Sequence, residues 1–95
     1  AEPYGAAKSG LNALTRSFAF ALGPKVRVNA IAAGPFLTDI SKAWDMEAFE
    51  KRAQSSLALG RGGQPKEIVG AALYLAGPGG SFTTGTVIRV DGGTR

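Results

Sequence analysis

Two short β-branched runs, Val26–Ile31 and Thr86–Val90, enclose a long stretch of helical periodicity, and this arrangement limits the possible folds most. Strands joined through helices need a crossover, and a crossover runs them parallel. Each run ends in a tight turn, at Ala33-Gly34-Pro35 and at Asp91-Gly92-Gly93. Two parallel strands cannot cover both faces and both edges of their own sheet. The fold class is therefore α/β, and the chain is predicted to be one end of a larger sheet.

The helices are legible from spacing. From Tyr4 to Leu22, apolar Ala7, Leu11, Leu14, Phe18 and Ala21 recur at intervals of three and four, and Gly23-Pro24 ends the run. Asp45 offers a cap for a second helix that carries Met46, Phe49, Ala53 and Leu57 on one face up to Gly60. Pro65 and Glu67 open a third, with Ile68, Val69, Ala72, Leu73 and Ala76 as its expected buried side. The glycine-rich stretches 60–63 and 77–80 do not follow strands as a phosphate-binding turn would, and they read as turns.

A 95-residue chain with 44% hydrophobic and 19% charged residues has globular composition, which argues against disorder or coiled coil. One unit over 1–95 is expected. The absence of Cys excludes disulfides and cysteine metal sites, and it fits a reducing compartment, the cytoplasm by default. No run is apolar enough to predict membrane insertion. The net charge of +4 is scattered, without the basic stripe that a nucleic-acid partner requires.

Tyr4 and Lys8 lie four apart at the start of the first helix, one turn from each other on one face. A phenol ionises near pH ~10, and a neighbouring ammonium favours the phenolate, so Lys8 would tune Tyr4 toward acid-base work at neutral pH. The same spacing is common on ordinary helices. Gly5, Ala6, Ala7, Ser9, Gly10 and Ala13 are small, as expected where a ligand or another helix comes close, and plain packing explains them equally well.

The segment Tyr4-Gly5-Ala6-Ala7-Lys8-Ser9-Gly10 resembles the Tyr-x-x-x-Lys active-site segment of short-chain dehydrogenases/reductases. Arg27-Val28-Asn29-Ala30-Ile31, Gly34-Pro35-Phe36-Leu37-Thr38-Asp39, the segment 60–68 and the close from Thr84-Gly85 to Asp91-Gly92-Gly93 resemble later family segments, in order. The resemblance implies the carboxyl-terminal part of a Rossmann-like domain using NAD or NADP. It also implies a carbonyl or alcohol substrate and a homo-oligomer, with the first helix and last strand in subunit contacts. Tyr4 would be the general acid or base, and Lys8 would lower its pKa and hydrogen-bond the nicotinamide ribose. Gly34, Pro35 and Phe36 would line the nicotinamide, and Thr38 would hydrogen-bond the cofactor.

The pattern departs at Ala33, where the family usually has Pro. The family's glycine-rich cofactor turn, catalytic Ser and structural Asn match nothing in this chain, and Ser9 and Asn29 are not substitutes. Trp44, Met46 and Phe49 fall where a substrate lid often forms and would join Phe36 in an apolar wall, or simply pack a core. The competing expectation is a non-catalytic remnant that acts only in subunit assembly.

Overall fold

The structure, a computed structural model, describes residues 2–37 and 45–94. Helix α1 (Glu2–Leu22) leads to strand β1 (Ala30–Ala33), helix α2 (Met46–Ser56), a 3-10 turn (Pro65–Ile68) continued by helix α3 (Val69–Ala76), a second 3-10 turn (Pro78–Gly80) and strand β2 (Val87–Val90). The strands form one two-stranded sheet. Ala30 N donates to Thr86 O at 3.0 Å and Gly34 N to Val90 O at 2.9 Å, so both strands advance together and the pairing is parallel. The chain divides into two compact units, residues 1–31 with 73–88, and residues 32–72 with 89–95.

In the first unit, β1 begins four residues later than the β-branched run suggests. Side chains take the place of the ladder there. Val28 N donates to Thr84 Oγ1 at 3.0 Å, and Asn29 Oδ1 accepts from Thr86 N at 3.1 Å. Gly85, at φ +77°, takes the chain through a left-handed turn and donates its N–H to Val28 O at 2.7 Å. Regular pairing resumes only at Ala30.

Helix α1 buries a different face from the one its apolar spacing marks. Thr15 and Ala19 are buried and Lys8 is half-buried, whereas Ala7, Leu11, Leu14, Phe18 and Ala21 are all exposed. The turn at Gly85 approaches the small-residue side, where an added Cβ would come 3.4 Å from Ala19 Cβ. The Thr15 hydroxyl donates to Leu11 O at 2.7 Å, which satisfies it inside the packed face. An apolar stripe marks a surface that suits a partner, and among the described residues Leu14 and Phe18 stay more than half exposed.

In the second unit, Asp45 caps α2 as its position suggests, with Oδ1 accepting from Ala48 N at 3.2 Å. Phe49, Ala53 and Leu57 are buried, as their shared face predicts, and Met46 is half-buried. The helix stops at Ser56, short of Gly60, because Ala58 N and Leu59 N donate to Gly93 O and Gly92 O instead of continuing it. Gly93 has no room for a side chain, since a Cβ would fall 2.5 Å from Ala58 Cβ.

The expected buried side of α3 is corrected. Val69 and Leu73 are 48% and 67% exposed, Ala72 and Ala76 are exposed, Ile68 is half-buried, and the helix has no buried residue. Its sequence is apolar nearly all round, so periodicity cannot select a side. Tyr74 is held instead by its hydroxyl, 2.6 Å from Thr83 Oγ1.

Candidate functional site

At the carboxyl end of β1, Gly34 lies so close to β2 that a Cβ would fall 2.5 Å from Asp91 Cα. Only glycine lets the two backbones meet there. Beyond it, Gly63 N donates to Pro35 O at 2.9 Å and Leu37 N to Gly63 O at 2.7 Å, a parallel bridge that pairs Phe36 with Gly63. In such a bridge the flanking peptides face the partner, which turns the N–H and C=O of Phe36 to the opposite side. Gly34, Pro35 and Phe36 therefore sit in one loop, half-buried, with a peptide donor and acceptor at its middle. Thr38 and Trp44 lie outside the described residues.

A cavity of about 120 Å³ runs along this loop, with Arg61, Glu67 and Asp91 in its wall. A second, of about 300 Å³, has Leu37, Met46 and Phe49 as apolar wall and Glu50, Gln54 and Gln64 as polar rim. Phe49 is both core and wall, whereas Met46 is half-buried in the wall.

The facing loop 60–64 is locked by an ion pair the sequence reading passed over. Arg61 Nη1 and Nη2 donate to the two oxygens of Glu67 at 2.8 and 2.9 Å. Arg61 Nη1 also donates to Gly62 O at 3.1 Å, and Gln64 N to Glu67 Oε1 at 2.8 Å. The Arg61 guanidinium, then the Gln64 N–H, hold the Glu67 carboxyl at about 2, and the same pairing raises Arg61. The available signal was an Arg and a Glu on either side of a Gly-Gly-Gln-Pro turn.

Asp91 is a second hub. Its Oδ2 accepts from Thr94 Oγ1 at 2.8 Å and Arg89 Nε at 2.9 Å, and its Oδ1 from Gly93 N at 2.9 Å. The Thr94 hydroxyl, then the Gly93 N–H, place its carboxyl well below the ordinary carboxylate range, with Arg89 adding to the effect. The close approach of Gly34 thus meets a strand end that is fixed by its own side chains.

In the first unit, Tyr4 and Lys8 both lie on α1, where four residues of rise set them one turn and about 6 Å apart. Lys8 is half-buried and Ser9 exposed. Asn29 is held in structural bonds, with Nδ2 donating to Thr83 O at 3.0 Å and Oδ1 accepting from Thr86 N. Among the described residues, no group of His, Cys, Asp and Glu is arranged to hold a metal, and no helix is long and apolar enough to cross a membrane.

The whole chain, residues 1–95, matches the family model described as enoyl-(acyl carrier protein) reductase. An uncharacterized oxidoreductase of Mycobacterium tuberculosis is 47% identical over 95 residues, covering 95% of this chain and 35% of its own length. A structure of 7α-hydroxysteroid dehydrogenase complexed with NADH and 7-oxo glycochenodeoxycholic acid matches at 38% identity with a TM-score of 0.79, over 96% of this chain and 36% of that one. A short-chain dehydrogenase/reductase from Serratia marcescens matches at 36% identity and TM-score 0.79, over 95% and 36%. The chain spans little more than a third of the length of these relatives.

Proposed function

Because this chain belongs to the short-chain dehydrogenase/reductase family, we propose that it is the carboxyl-terminal part of a longer enzyme that moves hydride between NAD(H) or NADP(H) and a carbonyl or alcohol carbon. The observation that carries this reading is the likeness to 7α-hydroxysteroid dehydrogenase, a structure complexed with NADH and a 7-oxo compound. The loop at the carboxyl end of β1 suits a nucleotide, because ligands of open α/β sheets gather outside strand carboxyl ends.

The residues present fit a nicotinamide. A carboxamide needs one donor and one acceptor, and the Phe36 peptide turns both away from Gly63. Backbone groups of Gly34 and Pro35 would line the ring, and Thr38 would add a hydrogen bond. When bound, the nicotinamide supplies or accepts the hydride. In the reductive direction, the Tyr4 phenol would give its proton to the substrate's carbonyl oxygen. Lys8 would set its ammonium near that phenol and hold the ribose hydroxyls.

The test is a fluorescence titration of the full-length protein with NADH and NADPH, followed by turnover assays on ketone and alcohol panels. Saturable binding with Tyr4-dependent turnover is expected. Failure to bind either nucleotide would overturn the reading.

A second reading has its own support. The exposed stripe of Leu11, Leu14 and Phe18 on α1 repeats at three and four, the spacing of a helix seam. An assembly element, or a homo-oligomer of the enzyme, would use it. Subunit association without nucleotide binding would favour assembly alone.

A further inference from the structure

We propose that the Arg61–Glu67 pair is a positioning bracket that aims the Phe36 peptide at the cofactor, an inference that rests on the nicotinamide reading above. Both side chains also stand in the wall of the cavity along the loop. Their effect passes through the backbone in four links within the second unit. Pro65 opens the 3-10 turn that presents Glu67. Glu67 grips the Arg61 guanidinium with both oxygens and the Gln64 N–H with one. Arg61 and Gln64 thereby fix the two ends of Gly62-Gly63. Gly63 then exchanges hydrogen bonds with Pro35 and Leu37 on either side of Phe36.

The contact is built to close tolerance. A Cβ at Gly63 would fall 2.7 Å from the Phe36 ring, and one at Gly62 would fall 2.9 Å from the Phe49 ring. The loop therefore seats on the Phe36 ring on one side and the α2 core on the other. A shift of Gly63 is transmitted directly to the peptides that set the direction of the Phe36 N–H and C=O.

Exposure separates positioning from bulk stabilisation. The Arg61 and Glu67 side chains are 53% and 37% exposed, and exposed ion pairs add little to global stability. Loop geometry is more sensitive, since a displacement of about 1 Å at a reacting centre costs on the order of 100-fold.

The experiment compares the full-length enzyme with Glu67→Ala and Glu67→Gln. Glu67→Ala is expected to raise the nucleotide Kd and KM by about 10-fold or more while leaving the melting temperature nearly unchanged. Glu67→Gln keeps an oxygen for the Gln64 N–H and is expected to recover part of the loss. Amide exchange at Leu37 and Gly63 is expected to speed up in Glu67→Ala, with the Ala30 amide unaffected. Unchanged Kd and KM in an enzyme that binds nucleotide would overturn the bracket and leave the cofactor reading standing. If the parent protein binds neither NADH nor NADPH, the cofactor reading and the bracket's purpose both fall, whatever the amide exchange shows.

Discussion

Asn29 acts for Thr86 as a backbone peptide acts elsewhere in a ladder, with Oδ1 accepting the Thr86 N–H at 3.1 Å and Nδ2 donating to the Thr83 carbonyl at 3.0 Å. Arg27 Nη1 reaches the same carbonyl at 3.1 Å. The amide thus bridges the irregular start of the sheet around Gly85. Asn29→Leu, which keeps the volume and removes both bonds, is expected to destabilise the chain by about 1–3 kcal/mol, because the Thr86 N–H loses its acceptor while the Thr83 carbonyl keeps only Arg27. Urea denaturation checks this through a lower midpoint at unchanged slope.

Tyr4→Phe removes only the hydroxyl. In the full-length enzyme it is expected to lower turnover by about 10²–10⁴-fold, the usual contribution of a positioned acid-base group. Nucleotide affinity should change little. Steady-state kinetics alongside a fluorescence titration checks both, and near-normal turnover would remove Tyr4 from the reaction.

Phe49 is 8% exposed and anchors α2. Phe49→Ala is expected to cost about 3–5 kcal/mol, from lost transfer energy and the cavity left behind. Phe49→Leu should cost markedly less, and thermal melts of the two variants test the difference.

Glu67 and Asp91 set the acid response of the second unit. Both carboxyls sit below their ordinary values when folded, Glu67 at about 2 against 4.5. The unfolded chain therefore takes up protons first, and the stability these groups contribute is present above about pH 4.5 and drains away as pH falls toward 2. Asp91, whose side chain is 10% exposed, carries most of this, so Asp91→Asn should flatten that part of the stability–pH curve more than Glu67→Gln, as followed by denaturation midpoints between pH 2 and 6.

Leu14 and Phe18 are 58% and 53% exposed on α1. Paired replacement, Leu14→Glu with Phe18→Glu, is expected to shift any oligomer to a smaller species while the helix persists. Sedimentation velocity and circular dichroism read the two effects separately.

The sequence announced the α/β order, the cap at Asp45 and the buried face of α2, because those depend on local spacing and one side chain. It misjudged burial on α3, and the apolar face it marked on α1 is not the one that packs. Apolar periodicity says that a stripe wants covering, but Leu14 and Leu73 find no cover within their own unit, and Thr15 and Ala19 pack instead because a glycine turn fits against small residues. The loop at Gly34–Phe36 was legible through family likeness. Its support was not, since Arg61, Gly63 and Glu67 are joined to Pro35 and Leu37 only by folding. The start of β1 was missed for a similar reason, as Asn29 and Thr84 side chains stand in for backbone partners.

At Gly93 two independent demands coincide, a φ of +86° and an approach to Ala58 that leaves no space for a side chain. Asparagine, which tolerates left-handed backbone elsewhere, answers the first and fails the second, and shrinking Ala58 to glycine answers the second and leaves the first. A lineage leaving glycine at this site therefore needs two changes, and the one at Ala58 has to come first.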